Sequence, residues 1–324
     1  MCSVCLLGQT CSAGACITGN TGGGGGTDAG SDAGSDAGSD GGTDAGVDAG
    51  PPLPTWRTVP SNNTAWLNSV WGSSASDVWA VGDNGTVLHF NGANWAAESS
   101  GITENLQDVW GSSANEVWAV GGAGNIIKWD GTSWASVASG TGVVLYDVWG
   151  SAANDVWAVG LSGTIVHWNG TAWSPSTSGV TQTLHGVWGS AANDVWAVGI
   201  AGTMLHWAGS AWAPVAAGAT NLFAVWGSAS NDAWAVGGSG SILRWNGTAW
   251  LNSFSGTGNT LYGVWSFGAE VFAVGSGGTI LRRSGTLWVS APSGTSFGLW
   301  GVWGSSASDV WAVEERGATL RFGP

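Results

Sequence analysis

The chain is poor in charge, and most of what it has is of one sign. Only 9% of its 324 residues are charged, and 7 Lys and Arg stand against 21 acids, which leaves a formal net charge of −14. No basic cluster is present, which argues against nucleic acid and anionic membrane surfaces as partners. No apolar run approaches the ~20 residues that a membrane helix needs, so membrane insertion is not expected. Cysteine is missing after Cys16, so disulfides and thiolate ligands are confined to the first segment. Tyrosine is limited to Tyr146 and Tyr262, and no Ser/His/Asp set has a supporting motif. The Gly-rich turns lack the phosphate-cradling layout that precedes a helix. A surface with so little charge must be built from Ser, Thr, Asn and Gly.

What the chain has is glycine and tryptophan, 57 and 26 residues, with every Trp at or after Trp56. They fall into a repeat. The stretch Val148-Trp149-Gly150-Ser151-Ala152-Ala153-Asn154-Asp155-Val156-Trp157-Ala158-Val159-Gly160 has near-copies beginning at Val70, Val109, Val187, Val225, Val264 and Val302. Their first tryptophans, Trp71, Trp110, Trp149, Trp188, Trp226, Trp265 and Trp303, are spaced by 38 or 39 residues. A fixed period of this size with short strands inside each unit signals a repeat architecture. In the third unit Leu145 to Trp149 reads as strand A, Val156 to Val159 as strand B and Thr164 to Trp168 as strand C. Asn169-Gly170 is a hairpin turn, and Trp173 opens strand D. Four short antiparallel strands per unit make one propeller blade.

The chain ends fix the count. Strand D tryptophans stand 14 or 15 residues before the next strand A tryptophan, and Trp56 stands 15 before Trp71 with no blade in front of it. The last unit stops after strand C (Thr319-Leu320-Arg321-Phe322). The expectation is an all-β, seven-bladed β-propeller with four-stranded blades, closed by an N-terminal strand that completes the last blade and removes two edges. A ring closed within one chain is expected to be a monomer.

Three segments follow. Residues 1–20 hold Cys2, Cys5, Cys11 and Cys16 in the spacing C-x2-C-x5-C-x4-C. Two disulfides or a four-thiolate zinc site are the readings, and the second-half spacing favours disulfides. Residues 21–55 are a Gly/Asp/Ala tract with Asp28, Asp32, Asp36, Asp40, Asp44 and Asp48 on a four-residue beat, an extended acidic tether with nothing to bury. Residues 56–324 are the propeller.

The pattern V-W-G-x5-V-W-A-V-G-x2-G-T-I-x-H/R/K-W-N-G-x2-W resembles the BNR-like and Ycf48-like seven-bladed propellers over residues 56–322. WD40 similarity is weaker, because a Trp-Asp pair ends strand C only at Trp129-Asp130. Asp130-Gly131-Thr132-Ser133-Trp134 comes closest to the Asp-box turn of sialidases, and the other blades depart from it, which removes the case for sialidase chemistry. The order of a Cys-rich knot around Gly8 to Cys16, Asp-Ala-Gly repeats and a Trp-rich propeller resembles exported, surface-anchored proteins of myxobacteria. That resemblance implies export to a bacterial surface, with lipid anchoring as one form of it. No basic start, apolar core or lipobox precedes Cys2, so a start upstream of this chain is expected.

Candidate residues divide by whether the blades agree. The repeated tryptophans are expected to fill the gaps between blades. Each blade has an acid just before strand B and a cationic or imidazole side chain in strand C. The sets are Asp77 and His89, Glu116 and Lys128, Asp155 and His167, Asp194 and His206, Asp232 and Arg244, Glu270 and Arg282, and Asp309 and Arg321. A B–C hairpin brings the two together, so structural ion pairs are expected, and no metal site or other cofactor is. The blades disagree at the residue after the strand A leucine: Asn68, Gln107, Tyr146, His185, Phe223, Tyr262 and Trp300. This position lies at the entry to the central channel, beside the D–A loops. Together with Trp66 these side chains form a candidate ligand platform, since such groups stack on and hydrogen-bond to sugars and peptides. The expected function is non-catalytic binding of a glycan or partner protein through the D–A loop face. The Ycf48-like resemblance implies a second version, a scaffold that assists assembly of a complex. The alternative from another class, a glycoside hydrolase, needs paired carboxylates in a pocket.

Overall fold

A computed structural model describes residues 55–218 and 220–323, together with the backbone of 9–12 and 15–18. The chain divides into two units, Met1–Ala49 and Gly50–Pro324. The first contains an antiparallel hairpin, Gln9–Ser12 with Ala15–Thr18, in which Cys11 stands opposite Cys16. The expected bonding of Cys2, Cys5, Cys11 and Cys16, and the tether over residues 21–54, lie outside the described residues.

The second unit is seven four-stranded antiparallel sheets, each ordered A-B-C-D from the channel outward. Blade 3 is typical: Leu145–Ala152, Asp155–Gly160, Ile165–Trp168 and Trp173–Pro175. Between strands B and C a single 3-10 turn, Leu161–Gly163, replaces a plain hairpin loop. The seventh blade joins Leu299–Ser306, Asp309–Glu314 and Thr319–Gly323 to Thr55–Val59, with Trp56 opposite Phe322. The strand nearest the start of the propeller therefore completes the blade nearest its end, and no blade is left with three strands.

Blade joints are aromatic. The strand B ring of one blade packs against the strand C and strand D rings of the next, except that Trp234 of blade 5 meets Trp288 and the Arg283 guanidinium of blade 6. Trp157 lies 5.0 Å from Trp207 and 5.3 Å, edge-on, from Trp212. Trp79 meets Trp129 and Trp134, Trp118 meets Trp168 and Trp173, and Trp196 meets Trp245 and Trp250 in the same way. Trp311 closes the ring on Phe90 and Trp95. At the joint before blade 7, Phe272 meets Phe322 and Trp56. The six strand B indoles are nearly solvent-free, and their N–H groups have no hydrogen-bond partner. Their value is volume and ring contact alone.

Closer to the axis, the glycine of Val-Trp-Gly receives the strand A tryptophan of the preceding blade. A Cβ at Gly111 would stand 2.5 Å from the Trp71 ring. Blade 6 has Ser266 there, and the Trp226 ring that faces it is less buried than its counterparts, with its N–H donating to the Ser266 carbonyl at 3.4 Å.

The joint predicts a graded response to truncation. Trp157→Phe should lose less than Trp157→Ala, because Phe272 holds the equivalent place in blade 6 and no N–H bond is lost. Trp157→Ala should cost about 3–5 kcal/mol, read from urea unfolding of the two variants against wild type.

Candidate functional site

Strand A of every blade lines the central channel. It carries a β-bulge after its leucine: Leu67 pairs with Gly82 and Ser69 with Val81, and the same slip recurs in all seven blades. The bulged residues are Asn68, Gln107, Tyr146, His185, Phe223, Tyr262 and Trp300, the column in which the blades disagree. A bulge re-aims its side chain, and here all seven are half-buried and line the channel mouth. The cavity has a volume of about 310 Å³.

Five of these side chains form a continuous aromatic arc. Tyr146 lies 4.6 Å from His185, which lies 5.4 Å from Phe223, which lies 5.8 Å from Tyr262. Tyr262 stacks on Trp300 at 4.2 Å and 9°. Trp66, 45% exposed, extends the arc outward at 6.3 Å from Trp300. Blades 1 and 2 interrupt it with amides. Asn68 spends its NH2 on the Asp83 carboxylate (3.2 Å) and the Leu106 carbonyl (2.8 Å), which ties blade 1 to blade 2.

One residue deeper the column reads Ser69, Asp108, Asp147, Gly186, Ala224, Gly263, Gly301. Sequence reasoning passed over its two carboxyls, although the blade-by-blade comparison that singled out the mouth column also sets two adjacent acids apart in a column of small residues. Asp108 and Asp147 are half-buried, line the channel and hydrogen-bond to each other. Asp108 also accepts from Ser69 Oγ (2.5 Å) and Val148 N–H (3.0 Å). Asp147 accepts from Val148 N–H (2.8 Å) and Val187 N–H (2.7 Å). Burial raises both carboxyls above the ordinary aspartate value of 3.8, Asp147 well above it because the Asp108 charge adds to the effect of burial. The two carboxyls therefore titrate as a pair that can share a proton, with Asp147 the more readily protonated member. Beneath it, the valine ring that includes Val70, Val148 and Val264 and then the strand A tryptophans form an apolar floor.

The carboxyl pair expected of a glycoside hydrolase would flank a bond, with oxygens roughly 5–9.5 Å apart. Two carboxyls in mutual hydrogen-bond contact leave no room for one.

The opposite face is different. There each strand B acid meets the strand C cation of its own blade: Asp77–His89 2.6 Å, Glu116–Lys128 2.6 Å, Asp155–His167 2.6 Å, Asp194–His206 2.7 Å, Asp232–Arg244 2.9 Å, Glu270–Arg282 2.8 Å and Asp309–Arg321 2.5 Å. The strand C His, Lys and Arg side chains lie over the strand B rings, with His89 stacked 4.0 Å from Trp79 and Lys128 Nζ 4.8 Å above Trp118. Among the described residues no group of three or more His, Cys, Asp or Glu side chains is placed to hold a metal ion. Asp130 caps its own turn, accepting from Thr132 Oγ1 and from the N–H groups of Thr132 and Ser133, and these bonds hold its carboxyl below the ordinary value. Asn169 makes the same turn without a charge. No described helix is long and apolar enough to cross a membrane.

A raised carboxyl pair leaves a mark on stability. The folded state holds the proton more tightly than the unfolded chain, so the pair's contribution is intact below about pH 3.8 and is lost as pH rises through the folded-state value. Asp147→Asn, which keeps the shape and removes the charge, should therefore raise the melting temperature more at pH 8 than at pH 5.

Comparison with known proteins gives a likeness of shape. No family model matches the chain, and no curated protein sequence matches it. Among solved structures it is similar to Ycf48 bound to a D1 peptide (TM-score 0.69, 16% identity, 84% of this chain and 97% of that one). It is similar to Ycf48 from Cyanidioschyzon merolae (0.69, 19%, 83% and 99%) and to the WD40 propeller domain of Doa1 (0.73, 12%, 82% and 95%). At these identities what is shared is the seven-bladed β-propeller fold.

Proposed function

We propose that the protein is a non-catalytic binding module that holds a segment of a partner protein against the D–A loop face of its propeller, in the manner of an assembly scaffold. The observation that carries this reading is the contrast between the two faces. One face is uniform, with its acids and cations paired blade by blade. The other presents a concave mouth whose aromatic groups differ from blade to blade on a rigid ring. Rigidity at this mouth comes from the D–A loops, where a buried serine such as Ser139 bonds the carbonyl and N–H two residues on, at 3.1 and 3.3 Å. Pockets with apolar walls and a few convergent polar groups are the usual form of a binding site. A propeller of the same fold is described bound to a peptide, which supports a protein partner over a glycan. A hydrolytic reading lacks the separated carboxyls it needs, since Asp108 and Asp147 are in contact with each other. Export to a bacterial surface belongs to the same reading, and its support is the composition of residues 1–55.

Binding of the full-length chain to a peptide array and a glycan array tests it. Tyr262→Ala with Trp300→Ala should abolish peptide capture, and Asp194→Asn on the far face should leave it intact. Capture that survives the mouth variant and is lost with the far-face variant would overturn the proposal. Glycan capture lost with the mouth variant, with no peptide captured, would make the ligand a sugar.

A further inference from the structure

We propose that the channel mouth is a receptor for a primary ammonium group, delivered on a lysine side chain of the partner. This rests on the binding-module reading above and names the ligand chemistry of that face.

Three independent features of the mouth converge on a cation. The first is the aromatic arc from Tyr146 to Trp300, half-buried rings in unbroken contact around more than half the ring of blades. Aromatic faces attract ammonium groups through the ring quadrupole, most strongly where water is thinned out.

The second is the pair of carboxyls at the Tyr146 end of the arc. Asp108 and Asp147 stand one residue below Gln107 and Tyr146, a strand rise of roughly 3.3 Å. The four-carbon stem of lysine spans that depth from the mouth. In the same layer Ala224, Gly263 and Gly301 line the cavity and add no polar side chain, the glycines packing closely on the backbone of the next blade. Below the pair the valines and the strand A tryptophans line the channel, so an inserted polar head finds the carboxyls and Ser69 as its polar neighbours at that level. An anionic head would meet like charge.

The third is the distribution of charge around the rim. Asp83 and Glu315 stand in the B–C turns of blades 1 and 7, and Glu104 stands in the loop entering blade 2, with its Cβ against Gly122. Glu315 and the Trp300 indole nitrogen both lie against Gly298, so this carboxylate borders the arc. None of these three acids is in an ion pair among the described residues, whereas all seven strand B acids on the opposite face are. The nearby cation, Arg316, lies over the Phe297 ring at 4.0 Å. His185, within the arc, is pushed below its ordinary value by burial and stays neutral at neutral pH. The field at the mouth is therefore negative, and it steers cations inward.

Binding and protonation compete for one place. An ammonium inserted between the two carboxyls takes over the role of their shared proton, which leaves to solvent, and both carboxyls become ionised. Affinity for an ammonium should then rise with pH through the raised range of the pair and level off once the proton is gone. The groups that face the pair are Ser69, His185, Tyr146 and Tyr262, with Asp83, Glu104, Glu315 and Arg316 at the rim. Of these, His185 titrates nearest the same range, and its protonation on acidification would weaken cation binding in the same direction. His185→Gln separates the two: the pH dependence should persist in that variant and vanish in Asp108→Asn/Asp147→Asn.

The test uses the full-length chain and tryptophan fluorescence or calorimetry. Probes are a short lysine-centred peptide, the same peptide acetylated on Nε, and n-butylamine, each at pH 5.5, 7 and 8.5. The lysine peptide should bind at least ten-fold more tightly than its acetylated form and more tightly at pH 8.5 than at 5.5. Asp108→Asn/Asp147→Asn should remove that ten-fold preference. Weaker but saturable binding of n-butylamine, competitive with the peptide, would place the ammonium itself in the site. Binding of n-butylamine equal to that of the peptide would make a free amine, and not a partner protein, the natural source. Equal affinity for both peptides overturns the cation proposal, and if that binding is still lost with Tyr262→Ala/Trp300→Ala the binding-module reading survives it. Absence of any mouth-dependent binding overturns both. Should the double Asn variant fail to fold, the acetylated peptide alone decides.

Discussion

The ring depends on one kind of joint: an indole or phenyl ring from strand B, set between the His, Lys or Arg of its own blade and the strand C and D side chains of the next, an aromatic pair in six joints and Arg283 with Trp288 in the seventh. Each ring buries a large apolar area at a place where two twisted sheets would otherwise leave a wedge of space. The stacked His, Lys or Arg covers the remaining side of the ring and is itself fixed by the strand B acid. A surface ion pair of this kind contributes about 0–1 kcal/mol. Its larger role here is to hold a cation flat on the ring. Closure depends on the same joint, because Trp56, carried on the strand from the other end of the propeller, meets Phe272 and Phe322 where the last blade would otherwise lack a partner ring.

Regularity of this kind is why the fold could be read from the sequence. The spacing of Trp71, Trp110 and their successors marks the inner strand, Trp79 and its successors mark the second, and the fifteen residues from Trp56 to Trp71 give the closing strand away. Departures have local causes. The B–C connection is a tight turn in which Ser162, at φ 56°, and the following Gly163, at φ 72°, reverse the chain in left-handed conformation. The looser seat of Trp226 follows from a serine where the joint needs glycine.

The site was only half legible. The mouth column stood out because Asn68, Tyr146 and Trp300 differ in chemistry while everything around them repeats. That these seven residues are the bulged ones, and so turn toward the channel, is a fact of backbone register that no single unit reveals. Asp108 and Asp147 were harder. They lie 39 residues apart, each in an ordinary strand context before Val-Trp-Gly, and nothing local marks either as unusual. Only the ring brings them within a hydrogen bond, and only their shared burial makes them costly.

That cost bears on what the pair is for. Each carboxyl clasps a backbone N–H of the following blade, Asp108 that of Val148 and Asp147 that of Val187, so a structural purpose is the first explanation to weigh. The other five blades weigh against it. They carry Ser69, Gly186, Ala224, Gly263 and Gly301 in the same column, with the same bulge and the same register, and the ring closes through them equally well. A propeller of this design has no need of carboxyls at that level. Burial makes both carboxyls harder to ionise in the folded chain than in the unfolded one, a cost that the other five blades do without.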